Sequence, residues 1–264
     1  MAARLLMLLL LAGGGCVSLG GGGSEPRAPQ DLPAVEQGLR AFVERSGSAR
    51  FAQYSRIRAL LTDRRSSWGA RLGAPYASDQ RLQVALDLRE RSLRARLVGE
   101  GQEGAIVGIK GGLAYALREG ERSYVSDPAL ERALGSIRRY VTLPQQLAAR
   151  LASELAKAPG ERSFESLDAR DLAGQTFDRV RIGADDPRDL ESIEAWIGRA
   201  SGRLEWVQLS RPGALGCTAR TAVHFVESAN VEGIPLPRAI EIASGIEEAP
   251  RVLRRLELSD LRID

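Results

Sequence analysis

Apolar and polar residues alternate along residues 82–97, with an interruption at residues 89–92. A period of two is typical of a strand with one buried face, so this segment predicts an antiparallel hairpin. Its apolar face contains Leu82, Val84, Leu86, Leu88, Leu93 and Leu97. A second hairpin is predicted around Gly111 and Gly112, because glycine tolerates the positive φ of a tight turn. Another layer must cover the apolar face.

A helical period replaces the alternation in two places. An apolar stripe at residues 35–43 predicts a helix before the first hairpin, with Pro33 near its start and Gly47 just past its end. From Pro128 to Lys157 the spacing again becomes helical and predicts two helices, the second opening at Pro144. The first of these two helices presents Leu130, Leu134 and Ile137 on one side. The pair could act as a lid over the sheet or as a permanent part of the core.

Further strand-like segments follow Pro159. They are residues 176–182, 193–197, 204–209, 218–227, 238–242 and 253–263. Strands of this length joined by short turns indicate an antiparallel meander. Because helices precede and interrupt the strands, the predicted fold class is α+β.

The first 16 residues predict a signal peptide. Arg4 precedes an apolar run from Leu5 to Ala12, and small residues lead to Cys16. The run is too short to cross a bilayer as a stable helix. Cys16 after small residues resembles the lipobox of bacterial lipoproteins, so we expect lipidation there. Ordinary cleavage after the small residues Gly13 and Gly15 would also fit.

Residues 17–33 are rich in Gly, Pro and Ser and predict a flexible tether, which leaves residues 34–264 as a single domain. A disordered N-terminus without an anchor is the alternative. The expected location is the cell envelope: exported, facing the periplasm and anchored to a membrane, with the outer membrane favoured.

Charge and chemistry exclude several function classes. The 37 basic and 34 acidic residues are interleaved, so no clustered positive footprint for nucleic acid is visible. The single histidine, His224, is expected on the surface or on an edge strand, facing away from Val223 and Phe225. Cys217 is expected to be a small buried hydrophobe. These residues make neither a metal site, which needs three or four ligands, nor a nucleophile–base arrangement. We therefore expect no catalytic residues, no metal and no cofactor.

The order of the later strands resembles a known group. The segments GQTFDRVRI, EAWIGRASGRLEWVQL, RTAVHFVESANVEGIPLPRAIEI and LELSDLRID are similar to the C-terminal half of the LolA/LolB-like (lipoprotein-carrier) superfamily. The earlier helix, hairpins and inserted helices fall in a compatible order, so the resemblance covers residues 34–264. It implies a curved antiparallel sheet, an open half-barrel, with an N-terminal helix and two inserted helices covering the concave face. Members bind acyl chains or lipid-modified proteins in the apolar hollow.

The resulting hypothesis is a non-enzymatic envelope lipoprotein that binds a lipid or acyl group in an apolar half-barrel. The candidate lining residues are Leu82, Val84, Leu86, Leu88, Leu93, Leu97, Leu130, Leu134 and Ile137. The alternative is an envelope scaffold or accessory lipoprotein that binds another protein and has no ligand cavity. An internal apolar void would favour the first, and a core filled by its own side chains the second. The expected partners are a membrane through the anchor, a lipid or acyl ligand, or an envelope protein.

Overall fold

The structure is a computed structural model that describes residues 32–66, 75–76, 78–98, 105–118, 121–183, 192–212, 218–246 and 250–264. The signal peptide and most of the tether, with Cys16, lie outside the described residues, as do Trp68 and Cys217.

The first half of the domain consists of two short helices and a run of antiparallel strands. Helix α1 (Leu32–Ser46) confirms the helix predicted from the stripe at residues 35–43 and is followed by α2 (Ser48–Phe51). The strands are β1 (Arg56–Arg65), β2 (Gln80–Asp87), β3 (Ser92–Val98), β4 (Ile106–Lys110), β5 (Leu113–Arg118) and β6 (Glu121–Tyr124). Gly111 and Gly112 have φ of 60° and 86°, so the predicted tight turn between β4 and β5 is confirmed.

The helical region is one element instead of the predicted two. Helix α3 (Pro128–Leu155) runs through Pro144, although an interior proline removes one backbone hydrogen bond and usually costs about 3 kcal/mol. Tertiary packing outweighs this cost, because the residues on both sides of Pro144 are buried. Gln145 also donates a hydrogen bond of 2.6 Å to the Pro235 carbonyl on a neighbouring strand. Burial on both sides therefore keeps the helix continuous.

The second half of the domain is an all-antiparallel meander. Its strands are β7 (Phe164–Leu172), β8 (Gln175–Gly183), β9 (Ser192–Gly198), β10 (Leu204–Pro212), β11 (Thr218–Val231), β12 (Ile234–Ala243) and β13 (Val252–Ile263). The last strand returns to pair with the first, with Arg65 opposite Arg254 and Ile57 opposite Ile263. This pairing joins the two meanders into one sheet.

The described strands form a sheet of 13, in the order β6-β5-β4-β3-β2-β1-β13-β12-β11-β10-β9-β8-β7. The two edge strands are therefore β6 and β7, and α3 is the segment that connects them. A helix of 28 residues is about 42 Å long, enough to cross from one edge of a curved sheet to the other. The topology thus places α3 across the open side of the sheet.

The core lies between the inner face of the sheet and the helices. The buried side chains of α3 recur every three or four residues and join α1 and the inner residues of the strands in one apolar cluster. The architecture is the expected α+β half-barrel: an open, curved antiparallel sheet whose concave face is covered by an N-terminal helix and an inserted helix. Within the described residues, no helix combines the length and the apolar character needed to cross a membrane.

Candidate functional site

The concave face of the sheet has an apolar floor, made by the inner residues of β2 and β3 and the side of α3 that faces them. All of the candidate lining residues are buried except Leu88, which is partly buried against the same cluster. Leu82 and Leu86 lie directly opposite Leu97 and Leu93 in the β2–β3 register, so the predicted hairpin and its apolar face are confirmed. Contact of these residues with a ligand stays a prediction.

The side chains of β1 that face inward, which we call its inner row, change from apolar to charged along the strand. Ile57 and Leu61 are fully buried, and the positions that continue the same alternation are Asp63 and Arg65. Both charged side chains are still buried, with 0% and 4% of their surface exposed. The inward-facing row therefore begins apolar and ends charged.

Two other strands repeat this change at the same end of the sheet. On β13, Arg254 continues the inner row of Leu256 and Leu258, and it lies opposite Arg65 of β1. On β10, Arg211 continues the inner row of Leu209. Three inner rows thus each end in an arginine, and we call this region the charged end of the concave face.

Asp63 is the centre of the charged end. Its carboxylate accepts hydrogen bonds of 2.8 Å from Arg65 Nη2, from Arg254 Nε and Nη2, and from the Tyr76 hydroxyl. Burial, together with the nearby negative charge of Asp63, raises the pKa of Tyr76 above its ordinary value, so the phenol stays protonated and donates. One buried carboxylate thus serves two buried guanidinium groups.

Polar contacts also hold helix α3 to the sheet. Arg254 Nη1 donates to Ser136 Oγ at 2.7 Å, and Arg138 Nη1 donates to the carbonyl oxygen of Arg91. Glu131 accepts a hydrogen bond of 3.3 Å from the backbone N–H of Ala114 on β5. The apolar stripe of α3 and these polar contacts therefore hold different parts of the helix.

A cavity of about 530 Å³ opens at the charged end. Its described walls come from residues 129–140 of α3, the β4–β5 turn, Pro75 and the ends of β1, β10 and β13. In a flat sheet β4 and β10, seven steps apart in the strand order, would be about 34 Å apart. Because one cavity touches both strands, the sheet must bend strongly toward itself.

The walls of the cavity are rich in arginine. The arginines among the described lining residues are Arg65, Arg132, Arg138, Arg139, Arg211 and Arg254. Glu131 is the acidic residue among the described lining residues, and Asp63 lies behind the wall. Burial, with the positive charges of Arg139 and Arg91, lowers the pKa of Arg138 from its ordinary value. The cavity is therefore strongly positive.

The outer face of the sheet carries a separate aromatic cluster. Trp196 and Trp206 are buried there and anchor its packing. His224 faces away from Val223 as predicted, but it lies on the internal strand β11 instead of an edge. Its ring stacks on Trp206 at 3.9 Å, and burial lowers its pKa from the ordinary value. The sequence missed this stacking because it depends on the β10–β11 register.

The described residues contain no group of three or more His, Cys, Asp or Glu side chains placed to hold a metal ion.

The sequence analysis did not single out the arginines of the charged end, because they lie far apart along the chain. One signal was available in the sequence. On β1, β10 and β13, the alternating positions that face inward continue to an arginine at the end of the strand.

No protein-family model matches the sequence, and no curated protein matches it. Solved structures, in contrast, resemble the fold. A domain named for outer-membrane lipoprotein sorting from Vibrio parahaemolyticus has 12% identity and a TM-score of 0.50, covering 87% of this chain and 93% of that chain. A LolA superfamily protein from Nitrosomonas europaea has 13% identity and a TM-score of 0.47, covering 86% and 93%. The chain therefore has a LolA-like fold.

Proposed function

We propose that this protein is an exported envelope lipoprotein, anchored through Cys16, that binds a lipid or acyl group reversibly and without chemistry. The observation that carries the proposal is an apolar concave sheet covered by helices, one of which, α3, connects its two edges. The LolA-like fold supports an envelope role at the level of fold. The single histidine of the chain, stacked on Trp206 on the outer face, lies away from this concave side.

Helix α3 is the lid in this proposal. An acyl chain would enter between α3 and the sheet and replace contacts that α3 makes with β3 and β4. Each methylene group removed from water contributes about 0.8 kcal/mol, so a long acyl chain can offset the displacement of several helix side chains. Entry through the charged end would separate polar contacts of α3 such as that between Ser136 and Arg254.

A second candidate function is an accessory lipoprotein that binds another envelope protein. One observation favours it: the inner residues of the sheet and the apolar side of α3 form a single cluster of buried side chains. In that case α3 is a permanent part of the core. The two candidates differ in whether α3 must move for the protein to function.

A pair of substitutions tests that difference. Ile137 of α3 and Ile182 of β8 are both fully buried in the same cluster. Replacing either with Ala should lower the free energy of unfolding by about 2–5 kcal/mol. If α3 is a lid, Ile137→Ala also weakens the closed state and raises the affinity for a fluorescent fatty acid, whereas Ile182→Ala leaves that affinity unchanged.

Native mass spectrometry of the protein purified from bacterial membranes supplies the second measurement. Copurified lipid, together with fatty-acid binding that responds to Ile137→Ala, supports the lipid carrier. A protein that is consistently empty and ignores fatty acids in all three forms contradicts it and leaves the accessory role.

The anchor is tested separately. We expect Cys16→Ser to move the protein from the membrane fraction to the soluble fraction, because a lipoprotein cysteine carries the acyl chains that hold the protein to the membrane. An unchanged membrane fraction would contradict lipidation at Cys16. The result does not depend on what the half-barrel binds.

A further inference from the structure

We propose that the cavity at the charged end binds a phosphate-type oxyanion, and that the headgroup of an anionic lipid is one source of this group. The inference rests on the proposed function only for its lipid source. The chemistry of the walls, in contrast, is independent of any acyl chain.

The first argument is the balance of charge. Six arginines and one glutamate are the charged side chains among the described residues that line the cavity, and Asp63 adds one negative charge behind them. Their formal charges sum to +4. Asp63 pairs with Arg65 and Arg254, and Glu131 accepts a hydrogen bond from the backbone N–H of Ala114. Within the described residues, the walls of the cavity therefore carry an excess of positive charge, part of which a bound anion would neutralise.

The second argument is a buried donor without a partner. Arg211 Nε is inaccessible to solvent and makes no hydrogen bond to any described residue. A buried unpaired donor costs about 1–3 kcal/mol, so such groups usually have a partner. Arginine donates in a planar fork that matches a phosphate or carboxylate group. Because Arg211 lines the cavity, a small rotation of its guanidinium toward a bound oxyanion would give Nε the missing acceptor.

The third argument is access and room. The volume of about 530 Å³ lies within the range of about 300–1,000 Å³ that is typical of small-molecule sites. Arg132 on the cavity wall is exposed, so a ligand can reach the site from solvent. The apolar floor begins next to the cavity, at residues such as Ile109 and Ala133 that belong to both. A lipid could place its headgroup among the arginines and its chain along the floor.

The test compares two double variants with equal loss of charge. Arg132→Gln with Arg211→Gln changes the cavity, whereas Arg94→Gln with Arg96→Gln changes exposed arginines on the other face of β3. Arg132→Gln alone serves as a variant at an exposed position, where folding is not at risk. The full chain is purified in a non-ionic maltoside detergent, which contains no phosphate.

Binding is followed by the thermal unfolding midpoint and by ³¹P NMR, with inorganic phosphate, dihexanoyl phosphatidic acid and uncharged dihexanoylglycerol as probes. Chloride at equal ionic strength controls for screening. We expect phosphate or phosphatidic acid to raise the midpoint of the wild type and of the β3 variant. In the cavity variant the apparent affinity should fall at least about tenfold, and Arg132→Gln alone should show a smaller loss.

The outcomes separate the two proposals. Binding of inorganic phosphate supports a site for the free anion, and binding of phosphatidic acid alone supports a lipid headgroup, provided that only the cavity variant loses it. Equal binding by both double variants, or no effect beyond that of chloride from either phosphate probe, overturns the inference. Failure of dihexanoylglycerol and fatty acids to bind, with phosphate binding intact, contradicts the lipid carrier and leaves the anion site standing.

Discussion

The two ends of the concave face are built on the same strands and differ in how they are stabilised. On β1, Ile57 and Leu61 bury apolar surface, and two to four residues later Asp63 and Arg65 bury charge. The floor is stabilised by dispersion and by the removal of apolar surface from water. The charged end depends on hydrogen bonds that must be complete, because burying an uncompensated charge is costly. A ligand could therefore displace apolar contacts in the floor and supply missing hydrogen-bond acceptors at the charged end.

The largest expected effect is at the centre of the charged end. Asp63→Asn leaves Arg65 and Arg254 buried without their counterion, and we expect it to lower the free energy of unfolding by about 3–5 kcal/mol. The control is Glu165→Gln, which removes a similar ion pair with Arg181 at an exposed position and should cost under about 1 kcal/mol. Urea denaturation measures both variants. Similar losses in the two variants would contradict the structural role of Asp63.

The floor should respond to lost volume. Leu86→Ala removes a fully buried side chain, and we expect a loss of about 2–5 kcal/mol in the free energy of unfolding. Leu113→Ala, at a position that is 58% exposed, should change it by no more than about 0.5 kcal/mol. If Leu86→Ala were as mild as its control, the region under α3 would be loosely packed.

Tyr76 makes the charged end sensitive to alkali. Its pKa is raised in the folded protein, so the unfolded chain releases this proton first as the pH rises above the ordinary value of 10.0. The stability that Tyr76 contributes is complete below pH 10 and declines above it. We expect Tyr76→Phe to cost about 1.5–3 kcal/mol near pH 7 and progressively less at higher pH. Urea denaturation of both proteins at several pH values gives the difference, and a difference independent of pH would contradict the raised pKa.

The smallest expected effect is at Arg211. Because its Nε is buried without a hydrogen bond to a described residue, Arg211→Met should leave the free energy of unfolding unchanged or raise it by up to about 1 kcal/mol. The matched substitution Arg96→Met on the outer face should be neutral. A loss of more than about 1 kcal/mol in Arg211→Met would mean that Arg211 is part of the structural framework.

The errors of the sequence analysis arose where tertiary contacts, and not the local pattern, decided the structure. Strand β1 was not predicted. The positions that face inward include Asp63 and Arg65, so the alternation of apolar and polar residues that is typical of a half-buried strand breaks down there. Strand β7 was not predicted, since it is an edge strand with mostly polar residues. Pro144 suggested a boundary between two helices, and only the burial on both sides of it explains why α3 continues.

Local pattern by itself determined the hairpins, the apolar faces of β2 and β3, the helical stripes and the α+β class, because the periods of 2 and 3.6 are properties of neighbouring residues. Tertiary structure alone decided that β13 returns to β1, that α3 crosses the open side, and that arginines at positions 65, 132, 211 and 254 share one cavity. In the sequence these arginines are interleaved with acids and show no cluster. Curvature of the sheet brings them together, and curvature depends on the pairing of strands that are distant along the chain.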